Sequence, residues 1–285
     1  MSGGAVLEAS GIGVRFGGVR ALHDVRIAVR PGEICGLIGP NGAGKTTLFD
    51  VLSGIRRPDR GRVRLAGSDV TLRPPAWRAR HGMRRTFQRQ QLFGQLTVAD
   101  NLVVAQEGGR WRRGGAARSR ERAAEVLAAC GLAELAGAYP GTLPVGLGRM
   151  AELARALAEP PRVLLLDEPA SGMTAAERGR LAGVVRRLAA DEGCAVLLVE
   201  HDVGFVMDLC SRVVVLDLGQ VLAEGDPARV RADPAVREAY LGAGTGPGTG
   251  GVETGGVGTG GVETGGVETG GVETGGVECA PPDIR

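Results

Sequence analysis

One stretch of the chain has the composition of a phosphate-binding loop. Its residues follow the pattern of a glycine, four residues and then Gly-Lys-Ser/Thr. In such a loop backbone N–H groups point at a polyphosphate, the lysine neutralises the β- and γ-phosphate oxygens, and the following hydroxyl binds Mg²⁺. The chemistry predicted here is nucleotide binding, by Gly39, Pro40, Asn41, Gly42, Ala43, Gly44, Lys45, Thr46 and Thr47.

The lysine of this loop is unusual given the amino-acid composition of the chain. Lys45 is the only lysine in the chain, whereas arginine occurs throughout it. The wide planar fork of arginine cannot replace a compact ammonium enclosed by a loop. The one position that keeps a lysine is therefore a position that needs one.

Two apolar runs further along the chain end in reactive side chains. The run 163–166 leads into Asp167 and Glu168, and the run 195–199 is followed by Glu200 and His201. Buried parallel strands deliver acids to their carboxyl ends in this way. In phosphoryl transfer the first acid can hold Mg²⁺ through water, and the second can polarise the attacking water. A histidine there could donate a hydrogen bond to a γ-phosphate.

Two single residues and one basic segment complete the candidates. Gln88 follows a short strand pattern and can reach a metal ion or an attacking water. Phe16 lies on a glycine-rich turn, where its ring either stacks on a base or closes the edge of a β-layer. The arginine-rich run from Arg110 to Arg122 is either a solvated surface or a contact with acidic lipid headgroups.

The elements that must position these residues alternate between strands and helices. Short apolar runs and turn signals predict strands, and helical spacing of apolar residues predicts helices. The predicted strands lie within 5–29, at 34–38, in a hairpin around 63–65, at 163–166 and 195–199, and in a hairpin at 212–224. The predicted helices lie at 45–52, across most of 97–145 and at 227–241.

Length and composition restrict the class of protein. The 285 residues, 43% hydrophobic and 23% charged, fit one large α/β domain or one domain with a subdomain. A net charge of +2 does not mark a nucleic-acid binder. Five scattered cysteines without CxxC spacing predict buried free thiols in a reducing cytosol. No apolar run is long enough to span a bilayer, and no signal peptide is recognisable, so the chain is expected to stay in the cytosol.

The last part of the sequence is a pentad repeat. Residues 249–278 repeat Thr-Gly-Gly-Val-Glu, with Gly258 in place of one glutamate. Units this rich in glycine bury too little apolar surface to offset their ordering entropy. A disordered tail is predicted, and a short solenoid is the alternative.

Taken in their order, these motifs resemble the ATP-binding subunit of ABC transporters over residues 4–242. Residues 85–98 and 223–242 are more narrowly similar to the branched-chain amino-acid importer branch. The resemblance implies an α/β fold, a P-loop ATPase domain with an N-terminal antiparallel β-layer, a parallel core sheet and an inserted helical subdomain at about 97–150. The tail at 243–285 lies outside it.

The resemblance also implies roles and partners. The cofactors are ATP and Mg²⁺, and the subunit pairs with a second ATPase subunit, two transmembrane permeases and an extracytoplasmic substrate-binding protein, with no nucleic acid expected. Its place is the cytoplasmic face of the membrane. By this resemblance Phe16 stacks on adenine. The metal is supported by Thr46, Gln88 and Asp167, and Gln88 also links it to the permease. Glu168 activates water, and His201 senses the γ-phosphate.

The short glycine motif departs from the Leu-Ser-Gly-Gly-Gln usual in that family. In the family this signature closes over ATP held by the partner subunit. Here the signature segment consists of Leu143, Pro144, Val145, Gly146 and Leu147. Proline supplies neither a hydroxyl nor an N–H, a loss of about 1–3 kcal/mol of hydrogen bonding to the partner's ATP. Thr174, where an acid or amide is common, places communication between the two sites in question.

Three functional hypotheses follow. The first is MgATP hydrolysis that drives an importer of branched-chain amino acids or related small polar or amide solutes. The alternative is a soluble ABC-type ATPase acting on nucleic acid or ribosomes, which usually carries two cassettes or a long coiled insertion. The third is a non-hydrolysing regulatory module, against which Glu168 and His201 argue.

Overall fold

The computed structural model describes residues 4–88, 91–106 and 115–241, and these form two sheets with helices packed around them. A four-stranded antiparallel sheet has the strand order β2-β1-β4-β5. Its strands are β1 (Leu7–Phe16), β2 (Val19–Val29), β4 (Arg60–Leu65) and β5 (Ser68–Asp69). Leu7 pairs with Val29 on one side and with Leu65 on the other. The antiparallel β-layer predicted from alternation is therefore present.

The six-stranded core sheet has the order β10-β9-β3-β8-β7-β6. Five neighbouring strands are parallel, and only β10 runs antiparallel to its neighbour β9. The three central strands β3, β8 and β7 are buried along their whole length, as continuous apolar runs require. The strands are β3 (Ile34–Ile38), β6 (Met83–Arg85), β7 (Val163–Asp167), β8 (Ala195–Val199), β9 (Arg212–Asp217) and β10 (Gln220–Gly225).

Helices cover the core sheet on the face away from the antiparallel sheet and also pack between the two sheets. One apolar cluster joins the core sheet to α5 and α6, and a second lies between the sheets and includes α1. The helices are α1 (Lys45–Ser53), α2 (Pro75–Arg80), α3 (Val98–Gln106), α4 (Gly115–Ala129), α5 (Val145–Leu157), α6 (Ala175–Glu192), α7 (Val203–Leu209), α8 (Pro227–Ala232) and α9 (Pro234–Val236), followed by a π-helical turn (Arg237–Leu241).

The helical stretch predicted after residue 97 contains α3, α4 and the start of α5. Helix α5 continues without a break to Leu157, beyond the boundary expected near residue 150. The proposed division into domains stays a prediction. Within the described residues, no helix combines the length and apolar character needed to cross a membrane.

Several sequence-based predictions fall partly outside the described residues. Of the arginine-rich run, residues 110–113 lie outside, whereas Arg118, Arg120 and Arg122 lie on α4. The pentad repeat lies outside entirely, as does Cys279. The other four cysteines are buried and unpaired, as predicted, and burial raises the pKa of the Cys35 thiol to about 12.

Candidate active site

The phosphate-binding loop connects β3 to α1 and encloses its lysine. Lys45 as a whole residue is only 7% exposed. Its Nζ donates to the carbonyls of Gly39 (2.6 Å) and Pro40 (2.9 Å). Burial lowers the pKa of Lys45, while the charges of Glu168 and Asp167 act to raise it. The ammonium is therefore held inside the loop and within the field of two carboxylates.

Two glycines of the loop are required by close backbone approach. A Cβ at Gly39 would lie 2.0 Å from the carbonyl oxygen of Leu216. Gly44 has a φ of 102°, and a Cβ there would lie 2.6 Å from the Ala21 carbonyl oxygen. Any side chain at either position would displace the loop from the strands beside it.

The start of α1 is open to an anion. Its N-cap, Gly44, offers no side-chain hydrogen bond to the first N–H groups, and no acidic side chain lies in the first turn. Thr46 in that turn is exposed. Uncapped N–H groups and the positive end of the helix dipole favour a phosphate at this place.

Three predicted catalytic residues meet beyond the carboxyl ends of the core strands. Glu168, the residue after β7, accepts a hydrogen bond from Gln88 Nε2 at 3.1 Å, and its other carboxylate oxygen lies 2.7 Å from His201 Nε2. Glu168 has a φ of 49°, a conformation that costs a non-glycine residue free energy. The carboxylate is thus held by two partners on a strained turn.

Asp167, the last residue of β7, is buried, and burial raises the pKa of its carboxyl. Arg85 opposes this, because its Nη2 lies 2.9 Å from Asp167 Oδ2. The other terminal nitrogen of Arg85 donates to Asp50 Oδ1 (2.7 Å) and Ser53 Oγ (2.9 Å) of α1. Arg85 therefore ties the helix after the phosphate loop to the strand that carries the acids.

Glu200, like Arg85, is a residue to which the sequence analysis assigned no role. Its buried carboxylate accepts the N–H of Ala170 at 2.6 Å and the N–H of His201 at 3.2 Å. Burial raises the pKa of Glu200, and these two N–H groups oppose the rise. The carboxylate joins the turn after Glu168 to the turn that carries His201.

Phe16 is the last residue of β1, and 48% of it is exposed. The guanidinium of Arg56 lies 3.7 Å from the centre of its ring. A ring at a strand end that is half open to solvent is compatible with both roles considered from the sequence, base stacking and edge closure.

The signature segment forms the entry to α5. Pro144 is the N-cap, and Pro144 and Val145 are exposed, Val145 to 59%. Gly146 is buried, and a Cβ there would lie 2.3 Å from Glu177 Oε2. Thr174, which placed communication between the two sites in question, caps α6 in a capping box with Glu177. Its hydroxyl therefore has a structural partner, a role that the Thr-x-x-Glu spacing could have revealed.

Comparison with known proteins now decides the family. The model of the family described as ABC transporter matches residues 22–171, and that of the branched-chain amino acid ATP-binding cassette transporter matches residues 220–245. The chain belongs to the ATP-binding cassette family of ABC transporters. The predicted resemblance to ABC transporter ATP-binding subunits and the predicted ATPase class are confirmed.

The cassette has curated relatives and solved neighbours of similar length. It is 39% identical over 249 residues to the high-affinity branched-chain amino acid transport ATP-binding protein BraF of Pseudomonas aeruginosa and 37% identical to LivG of Escherichia coli. Each alignment covers 83% of this chain and 98% of the relative. The crystal structure of a nucleotide-free ATP-binding cassette from an ABC transporter superposes with a TM-score of 0.76 at 30% identity, covering 83% of this chain and 98% of that one. The predicted fold class is confirmed.

The residues of the cassette fit a magnesium ion that is shared with phosphate. Within the described ranges, no group of three or more histidine, cysteine, aspartate or glutamate side chains could hold a metal by itself. Thr46, Gln88 and Asp167 offer hydroxyl, amide and carboxylate oxygens, the donors that Mg²⁺ takes, and the substrate phosphates supply others. This donor set matches an ion that arrives with the nucleotide.

One cavity among the described residues lies away from the candidate nucleotide site. It measures about 710 Å³ and is lined by residues that include Trp77, His81, Arg84, Glu159 and Arg162. None of the candidate nucleotide residues lines it. This cavity is therefore separate from the candidate nucleotide residues.

Proposed function

We propose that this cassette is the ATP-hydrolysing subunit of an importer for branched-chain amino acids or related small polar or amide solutes. The narrower family model at residues 220–245 and the names of the two relatives support this substrate class. The nucleic-acid alternative receives no comparable support.

The observation that carries the catalytic part of the proposal is the arrangement around Glu168. Its carboxylate follows the strand of Asp167 and is held by Gln88 and His201. We assign to Glu168 the role of accepting a proton from the attacking water, and to Gln88 and His201 that of orienting the carboxylate and the γ-phosphate. Lys45 and the backbone of residues 39–47 bind the β- and γ-phosphates, and Phe16 contacts the base.

Mg²⁺ completes the proposed site. Thr46, Asp167 and Gln88 are the residues proposed to hold it. When bound, the ion neutralises charge on the phosphate oxygens. Arg85 keeps the Asp167 carboxylate paired and in place at the end of β7.

The proposal includes an assembly. The exposed Pro144 and Val145 of the signature segment are proposed to contact ATP held by a second ATPase subunit. Two permeases and an extracytoplasmic substrate-binding protein complete the importer, which places this subunit on the cytoplasmic face of the membrane.

The first test is ATP hydrolysis by the full-length chain together with the membrane proteins that copurify with it. Glu168→Gln is expected to lower kcat by at least about 100-fold, because it removes the base, while nucleotide binding persists. Glu134→Gln, the same substitution on an exposed turn, is the matched control and should leave kcat unchanged. Unchanged turnover in Glu168→Gln would contradict the proposal.

Identification of the copurified proteins tests the transport part separately. A second cassette and two permeases are the expected companions, and the permeases would narrow the substrate. Ribosomal proteins or nucleic acid without a membrane partner would instead support the alternative.

A further inference from the structure

Two charged side chains on α5 hold the segment that carries Gln88. Arg149 and Glu152 are three residues apart and so lie on the same face of the helix. Their charged ends are 3.6 Å from one another, and their side chains are 12% and 2% exposed. Buried charges are costly unless they are paired, so this pair requires further partners.

The partners are backbone groups on both sides of Phe87. Arg149 Nη1 donates to the Phe87 carbonyl at 2.9 Å, and Nη2 donates to the Gln88 carbonyl. Glu152 accepts from the Phe87 N–H at 3.4 Å and from the N–H of Gln91. Four contacts therefore fix the backbone from which the Gln88 side chain extends.

The same backbone determines what Gln88 can reach. Its side chain donates to Glu168 at 3.1 Å, so a displacement of the segment would break this contact. A hydrogen bond weakens steeply once its donor and acceptor separate beyond about 3.5 Å. The position of α5 therefore controls whether Gln88 touches the base.

Helix α5 connects these contacts to the signature segment. It begins at Val145, directly after its N-cap Pro144. Glu152 lies about 10 Å along the axis from Val145 at the usual rise per residue. A movement of the exposed end of α5 is thus transmitted along a rigid helix to Arg149 and Glu152.

We propose that Arg149 and Glu152 are positioning residues that couple the signature end of α5 to the contact between Gln88 and Glu168. The inference rests on the proposed function, since it takes Glu168 as the base and the signature segment as the surface that meets the partner's ATP. Closure of a partner on α5 would then be sensed at this chain's own hydrolytic site.

The kinetic test uses conservative variants of the full-length chain with its copurified partners. Arg149→Lys keeps the charge but loses the fork that reaches two carbonyls, and Glu152→Gln loses the charge and one acceptor. Each is expected to lower kcat about tenfold and to change the dissociation constant of ATP less than about twofold, because the phosphate loop is untouched.

The chain offers a matched control on another helix. Arg122 and Glu125 form a pair of the same types and the same spacing on α4, 3.2 Å apart. Arg122→Lys and Glu125→Gln should leave kcat at the wild-type value. Equal losses in both pairs would indicate a general effect on stability and would overturn the proposal.

Hydrogen exchange tests the contacts without relying on hydrolysis. In Glu152→Ala the amides of Phe87 and Gln91 should exchange at least about tenfold faster than in wild type, with amides of β7 unchanged. Unaltered exchange together with unaltered kcat would overturn the inference. A wild-type chain that hydrolyses no ATP with its partners would instead refute the proposed function, while the exchange result would still report on the contacts.

Discussion

The proposed hydrolytic region, which consists of Lys45, Gln88, Glu168 and His201, and the signature segment differ in how their side chains are held. Around Glu168 the polar groups contact one another: Gln88 and His201 hold the carboxylate, and Lys45 is enclosed by its own loop. At the signature segment Pro144 and Val145 are exposed, and Gly146 is buried against Glu177. The contacts of the first region lie within one chain. The signature segment is instead proposed to contact ATP that a second subunit holds.

This difference indicates where binding energy must come from. Groups already ordered in the free chain lose little freedom when a ligand arrives, which favours affinity. A surface that is completed only by a partner gains its contacts at association, so changes there should act on assembly. Substitutions in the two regions should therefore alter different measured quantities.

The largest effect is expected for Lys45→Arg in the hydrolytic region. A guanidinium is too wide for the space in which Nζ lies 2.6 and 2.9 Å from two carbonyl oxygens. We expect ATP affinity to fall at least about 100-fold. Titration with a fluorescent nucleotide measures this affinity. Arg26→Lys, at an exposed ion pair, is the control and should not change the affinity. Retained affinity would show that the loop needs only a positive charge.

A smaller effect is expected for Phe16→Ala. Loss of stacking should weaken ATP binding about 3- to 10-fold and leave kcat at saturating ATP unchanged. Phe16→Tyr retains a ring and should bind ATP as the wild type does. If ATP affinity is unaffected and only the melting temperature falls, the ring closes the edge of the β-layer and does not contact the base.

The smallest effect is expected for Pro144→Ser in the signature segment. The new hydroxyl could bond the partner's ATP, and we expect ATP-dependent association of the two ATPase subunits to strengthen by about fivefold. Sedimentation in the Glu168→Gln background, in which ATP persists, measures this association. ATP affinity of the separate chain should not change; if it does, the signature segment contacts the chain's own nucleotide and the comparison of the two regions fails.

Sequence patterns predicted the parts of the fold that depend on local chemistry. Apolar runs predicted the buried strands. Glycines predicted the loop at 39–47, because other backbone segments approach Gly39 and Gly44 too closely for a Cβ. Glu168 and His201 could be expected to lie close together because the carboxyl ends of parallel strands meet at one sheet edge. Each of these signals is contained within a few consecutive residues of the chain.

Contacts between distant residues were not predictable in this way. Arg85 reaches Asp50 and Asp167 from a different strand, and an arginine in an arginine-rich chain carries no signal of such a role. Arg149 and Glu152 have the ordinary spacing of a helix surface pair, yet they are buried against the backbone near Gln88. Only the packing of α5 beside that segment distinguishes them from the pair on α4, whose side chains are 22% and 60% exposed.

The enclosure of Lys45 has a consequence for covalent chemistry. Since no other lysine is present, this side chain provides the chain's single ε-amine, and it sits where the phosphates are proposed to bind. An acyl group or an isopeptide-linked tag attached there would remove the positive charge that the phosphates need. In this chain, acylation of a lysine side chain and inactivation of the nucleotide site would be one event.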